Sequence, residues 1–135
     1  MVECFLPKEE IAGPNPVSHY NIYIINNMKE ITVYELINNR DNYVVLDIRE
    51  QYERLKDGTI PENHHLPLST IDIVKLENFI DNHQEKDIVI HCHTGRRSFA
   101  LIKTIIDKKI IDSNKIYNLK GGYVSWKNIN PENLN

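Results

Sequence analysis

Two rhythms of apolar and polar positions run along this chain, and the switches between them lay out its elements. Tyr43-Val44-Val45-Leu46 and Ile88-Val89-Ile90 are unbroken apolar runs of strand length, and Ile116-Tyr117-Asn118-Leu119 reads as a third strand. Unbroken apolarity predicts strands covered on both faces, as in parallel sheets. Helical signals lie between them. Thr32-Val33-Tyr34-Glu35 has the spacing of a capping box and opens a short helix through about Asn38, followed by a turn at Asp41-Asn42. The highly charged stretch 49–58 predicts a short solvated helix ending at Gly58. After Ile60-Pro61 a loop leads to Leu66-Pro67-Leu68. Ser69 or Thr70 is then placed to cap a helix to about Asp81, with Ile73, Leu76, Phe79 and Ile80 as its apolar face. Ser98 through Lys109 reads as helix, with Leu101, Ile102, Ile105 and Ile106 inward and Lys103, Asp107 and Lys108 outward. Gly121-Gly122 closes the third strand, and a last helix carries Tyr123, Val124 and Trp126.

Strands that alternate with helices pair in parallel and take helices on both faces. The expected fold is therefore one α/β domain with a central, mainly parallel sheet of about five strands. Its limits are read as residues 30–130, with a leader over 1–29 and a tail over 131–135. Gly13-Pro14-Asn15-Pro16 breaks the leader, since each proline pushes its predecessor out of helical geometry. Ile22-Tyr23-Ile24-Ile25 fits either an extra edge strand or a short apolar anchor, and the pattern does not choose.

Composition narrows the function classes. The 135 residues suit one domain with one core, and the net charge is −3, from 16 Lys+Arg against 19 Asp+Glu. No global field draws the chain onto nucleic acid or an acidic membrane, so anion binding must come from local positive charge. Neither a secretory signal nor a run of about 18 apolar residues is present. Cys4 and Cys92 lie far apart and form no Cys-x-x-Cys motif, which fits a reducing, cytoplasmic setting.

The candidate chemistry sits in Ile90-His91-Cys92-His93-Thr94-Gly95-Arg96-Arg97-Ser98. Ligands of open α/β sheets sit outside the carboxyl ends of the strands, where Cys92 falls. The next helix begins about five residues later, so its unpaired N–H groups and positive dipole end face the sulfur. Gly95 lets the loop turn tightly, and Arg96 and Arg97 add full charges. Each of these favours thiolate over thiol, and the thiolate is the nucleophile. A buried structural cysteine is the plain alternative, and the Gly and two Arg that follow argue against it. Cys4 reads as incidental, or as a resolving thiol should the leader fold over the site.

Cys92-His93-Thr94-Gly95-Arg96-Arg97-Ser98 resembles the active-site loop of rhodanese-like sulfurtransferases, Cys-x-x-Gly-x-Arg-Ser. Leu46-Asp47-Ile48-Arg49-Glu50 is similar to that family's Asp-x-Arg-Glu segment. Gly58-Thr59-Ile60-Pro61 with Leu66-Pro67-Leu68 resembles its Gly-His-Ile-Pro-Gly-Ala…Ile-Pro segment, and Leu119-Lys120-Gly121-Gly122-Tyr123-Val124-Ser125-Trp126 its Leu-x-Gly-Gly-x-x-x-Trp ending. The set spans about 31–129. Thr59 replaces the usual His, Glu62-Asn63 replaces Gly-Ala, and one extra residue sits between Glu53 and Gly58. The resemblance implies sulfur transfer from thiosulfate through a Cys92 persulfide to cyanide, a thiol or a protein acceptor, without a cofactor. It also implies that loop amides from His93 and Thr94 through Gly95 to Arg97 hold the sulfur anion, while Arg96 and Arg97 guide the donor. Asp47 and Arg49 are expected as an ion pair or clamp beneath the site, Gly121 and Gly122 as a tight turn, and Trp126 as core.

Three rival readings remain. Cysteine phosphatases and arsenate reductases use Cys-x5-Arg, but here Arg97 closes a Cys-x4-Arg loop and Ser98 stands at the phosphatase position. A sulfur-relay or interaction module would pass persulfide only to a protein. A zinc site tempts at His91-Cys92-His93 and His64-His65, but no pair has zinc-motif spacing and strand alternation turns both His91 and His93 away from Cys92.

Overall fold

A computed structural model describes residues 22–25 and 28–129. Strand β1 (Ile22–Ile25) pairs antiparallel with β2 (Met28–Ile31), so the 22–25 run is an edge strand and the expected boundary at residue 30 falls inside β2. Cys4, the Gly13–Pro16 turn and the tail 131–135 lie outside the described residues. Helix α1 (Val33–Asn38) starts at Thr32, whose hydroxyl accepts the Glu35 amide. Then come β3 (Tyr43–Asp47), α2 (Gln51–Asp57), β4 (Asn63–His65), α3 (Ile73–Asp81), β5 (Asp87–His91), α4 (Arg96–Asp107), β6 (Ile116–Leu119) and α5 (Gly122–Ile129).

The strand order is β1-β2-β6-β5-β3-β4, and all pairs but the first are parallel. Five parallel strands are thus extended by one antiparallel edge strand. The short strand β4 falls in a stretch expected as loop, because Asn63-His64-His65 carries no apolar signal; its backbone pairs with β3 regardless. Alternation along the strands sorts two cores. Leu46, Ile88, Ile90, Cys92 and Ile116 meet α3 and α4, including Leu76, Phe79, Ile102 and Ile105. Val45, Val89, Tyr117 and Leu119 meet α1 and α5, including Leu36, Tyr123 and Trp126.

Two helix boundaries differ from expectation. Asp72, not Ser69 or Thr70, caps α3, because its carboxylate accepts the Lys75 amide at 2.8 Å. Ile73 keeps helical spacing to Leu76 and Ile80 but is the first residue of the helix, and it is 47% exposed. Helix α4 starts at Arg96 rather than Ser98.

From β3 the chain moves outward to β4, whereas from β5 it crosses to β6 on the other side. The connections diverge between β3 and β5, and a crevice at their carboxyl ends is where an open α/β sheet places its ligand. Cys92 follows the last residue of β5 there.

Candidate functional site

The site is built on the turn from β5 into α4. Gly95 is the N-cap of α4 at φ +103°, a left-handed conformation that suits glycine, while a Cβ there would meet only ordinary contacts. Backbone angle, not space, demands the glycine. The turn aims donors at the sulfur: the Gly95 amide lies 3.1 Å and the Ser98 amide 3.4 Å from Cys92 Sγ, and Ser98 Oγ lies 3.4 Å away. Cys92 is 1% exposed. Burial pushes its thiol pKa up, but the Ser98 hydroxyl and the amides of Ser98, Gly95 and Arg97 outweigh burial, leaving it below the ordinary value. The donors that reach Sγ therefore lie at the helix end of the loop. The described contacts hold no hydrogen bond from the His93 or Thr94 amide to the sulfur.

Helix α5 fastens the loop from behind. Tyr123 N donates to Cys92 O at 2.9 Å and Val124 N to His93 O at 3.0 Å. Gly122 allows that approach at φ +62°, since a Cβ on it would stand 2.5 Å from His93 O. Gly121 stands beside it at φ +77°.

The two arginines diverge. Arg96 is exposed and, with Glu30, Thr94, Phe99 and Asn118, lines an open cavity of about 290 Å³. Arg97 turns the other way and grips Glu53 of α2 through Nη1–Oε2 at 2.8 Å and Nη2–Oε1 at 2.7 Å. Glu53 also accepts the Glu50 amide, closing the capping box of α2, and Glu50 in turn accepts from Ser69 N and Oγ. A helix with no buried residues is thus fixed by polar ties at its start.

Beneath the loop, Asp47 and Arg49 form a fully buried ion pair at 2.9 Å. Arg49 also donates to Gly58 O and stacks 4.1 Å over the Tyr123 ring, whose hydroxyl donates to Asp57 O. The pair clamps the β3–α2 connection onto α5. His91 points to this same face, opposite Cys92, with Nε2 3.9 Å from Asp47 Oδ1. Burial drives its pKa down to about 4, despite the nearby Asp47 carboxylate. Among the described residues no three His, Cys, Asp or Glu side chains cluster as a metal site, and no helix is long and apolar enough to cross a membrane.

Two participants escaped the sequence reading of the site. Ser98 is fully buried against the sulfur, and Asn118 is 1% exposed behind it, joined to Ser98 Oγ at 2.5 Å. A polar residue inside the β6 apolar run was the available signal. By strand alternation it shares the Cys92 face.

Comparison with known proteins agrees with this layout. The family model described as "Rhodanese-like domain" matches residues 32–129. The crystal structure of a rhodanese-related protein from Thermoplasma volcanium is 25% identical with TM-score 0.58, covering 75% of this chain and 92% of that one. Two further structures show the same fold at 24% identity. One, a rhodanese-like domain protein from Staphylococcus aureus, has TM-score 0.55 over 73% of this chain and 91% of that one. The other, a Rhodopseudomonas palustris protein described as a possible tyrosine phosphatase, has TM-score 0.59 over 76% and 81%. No curated protein matches the chain significantly.

Proposed function

Because this chain belongs to the rhodanese-like domain family, we propose that it is a sulfurtransferase that carries sulfane sulfur as a persulfide on Cys92. The observation that supports this most is the Cys92 sulfur lying at the start of α4, with the Gly95 and Ser98 amides directed at it. Such donors stabilise a thiolate before the reaction and a persulfide anion after it.

The thiolate attacks the outer sulfur of thiosulfate. A Cys92 S–S bond forms, the donor's S–S bond breaks, and sulfite departs with the bonding pair. Cyanide or a thiolate acceptor then attacks the outer sulfur of the persulfide, and the Cys92 thiolate leaves. Such double displacement has ping-pong kinetics. No external oxidant or reductant is required, and a reducing, cytosolic compartment keeps Cys92 available. Arg96, exposed at the rim, is the cation suited to meeting an arriving anion, whereas Arg97 is committed to Glu53.

Intact-mass measurement after thiosulfate treatment tests the reading. A gain of one sulfur, mapped to Cys92 and absent in Cys92→Ser, is expected; no gain from several sulfane donors would refute it. An aryl phosphate assayed beside thiosulfate tests the phosphatase alternative, which the four-residue spacing from Cys92 to Arg97 disfavours. Stable persulfidation with slow cyanide turnover would direct attention to a protein acceptor.

A further inference from the structure

Ser98 Oγ has three acceptors within reach and one proton to give. They are Asn118 Oδ1 at 2.5 Å, Gly95 O at 3.2 Å and Cys92 Sγ at 3.4 Å. The direction of the shortest contact follows from Asn118. Its Nδ2 donates to the Gly95 carbonyl at 3.2 Å, which can only accept, so the amide oxygen is the atom turned to Ser98. Glu30 reinforces this orientation. It is the register partner of Asn118 across β2 and β6, and the Asn118 side chain counters part of the rise that burial gives the Glu30 carboxyl pKa. An amide oxygen cannot donate, so the Ser98 hydroxyl must.

We propose that Asn118 is a positioning residue that draws the Ser98 hydroxyl proton away from Cys92 and thereby sets how readily the sulfur ionises. While the proton is held by Asn118, Ser98 Oγ offers the sulfur a lone pair. In that orientation it can accept the Cys92 S–H, and it aids the thiolate only once its proton is turned to the sulfur. On ionisation the hydroxyl rotates, turning its proton from Asn118 to the sulfur at the cost of the shorter bond. The Gly95 and Ser98 amides stabilise the thiolate throughout; the hydroxyl alone has a contested proton. The inference deepens the reading of Cys92 as nucleophile and rests on it.

The surrounding charges do not duplicate this effect. Arg97 acts on the sulfur from α4 but is paired with Glu53 of α2. Arg96 and Glu30 line the cavity on the Asn118 side, and Lys120 acts on Glu30 from beyond β6. Asp47, Arg49, Arg54 and His91 interact on the opposite face of the sheet.

The test is the pH dependence of iodoacetamide alkylation at Cys92, followed on its peptide by mass spectrometry in the full-length protein. Asn118→Leu removes the acceptor at similar volume. The alkylation midpoint should move to lower pH, and the rate below it should rise about fivefold, the factor one ordinary hydrogen bond is worth. Asn118→Val, better suited to a strand, should shift the midpoint the same way and serves if the leucine variant does not fold. In a Ser98→Ala background the Asn118 substitution should have no effect, a null that a merely structural role would not produce. An unmoved or raised midpoint in a folded variant overturns the proposal, as does a shift that survives without the Ser98 hydroxyl. Alkylation needs no sulfur donor, so a wild-type protein that fails to take sulfur from thiosulfate would defeat the sulfurtransferase reading while leaving this measurement intact.

Discussion

Arg97 and Glu53, 44 residues apart in sequence, meet in a two-point ion pair that ties the cysteine loop to the start of α2. The carboxylate is held down to about pKa 2, chiefly by the Arg97 hydrogen bonds. A fork of two parallel N–H···O bonds fixes orientation as well as distance. The arginine that the loop motif suggests as an anion guide is therefore first a strut.

Arg97→Gln and Glu53→Gln should each lower stability, and the double variant should lose less than the sum. A coupling of about 1 kcal/mol in urea denaturation is expected for neighbours sharing one network. Purely additive losses would show that the pair is not a strut. Because a carboxylate with a lowered pKa contributes its stability above the unfolded value and loses it as pH falls through the folded value, the coupling should persist at pH 5 and fade below about pH 4.5 towards 2.

His91 makes the second prediction. It is fully buried and neutral, with a folded pKa of about 4 against an unfolded value near 6.5. Between those values the unfolded chain binds the proton and the folded one does not, so stability rises with pH across that window. Acidification from pH 6.5 to 4 should cost about 3 kcal/mol through this residue. A His91→Asn variant should flatten that part of the stability profile; an unchanged slope would mean that other groups account for it.

Gly122 separates loop support from chemistry. An alanine there combines φ +62° with a Cβ 2.5 Å from a backbone oxygen, so the His93 carbonyl or α5 must retreat. We expect Gly122→Ala to lose more than about 2 kcal/mol and to slow Cys92 alkylation at neutral pH, as the amides lose their aim. Wild-type alkylation in this variant would show that α5 does not hold the loop.

Glu62 stands where the family pattern has glycine, and it adopts φ +58°. Arg40 pins that turn by donating to Pro61 O at 2.8 Å and Glu62 O at 2.9 Å. Left-handed backbone costs a non-glycine residue about 1 kcal/mol, close to the chain entropy that glycine would add. Thermal melts should therefore find Glu62→Gly near wild type and Glu62→Val clearly lower, because a branched Cβ tolerates that conformation least. Equal melting of the valine variant would remove the strain argument.

The residues of this chain determined, by themselves, whatever depends on local pattern. Unbroken apolar runs marked β3 and β5, which are buried on both faces. Thr32 and Gly58 marked helix ends, and Cys92 with Gly95 marked the anion-binding turn. Asp72 does not stand out as the cap in the sequence because Ser69 and Thr70 offer the same chemistry three and two residues earlier. Strand β4 was illegible because its pairing with β3 is made by backbone atoms that carry no sequence signal. Tertiary structure alone decided what the loop's side chains face. The order β6-β5-β3 sets Asn118 beside the cysteine loop, and the path through α2 brings Glu53 to Arg97. Those partners lie 26 residues beyond Cys92 and 39 before it. Spacing along a helix or strand relates residues only a few positions apart, whereas these contacts exist because separate elements close on one crevice.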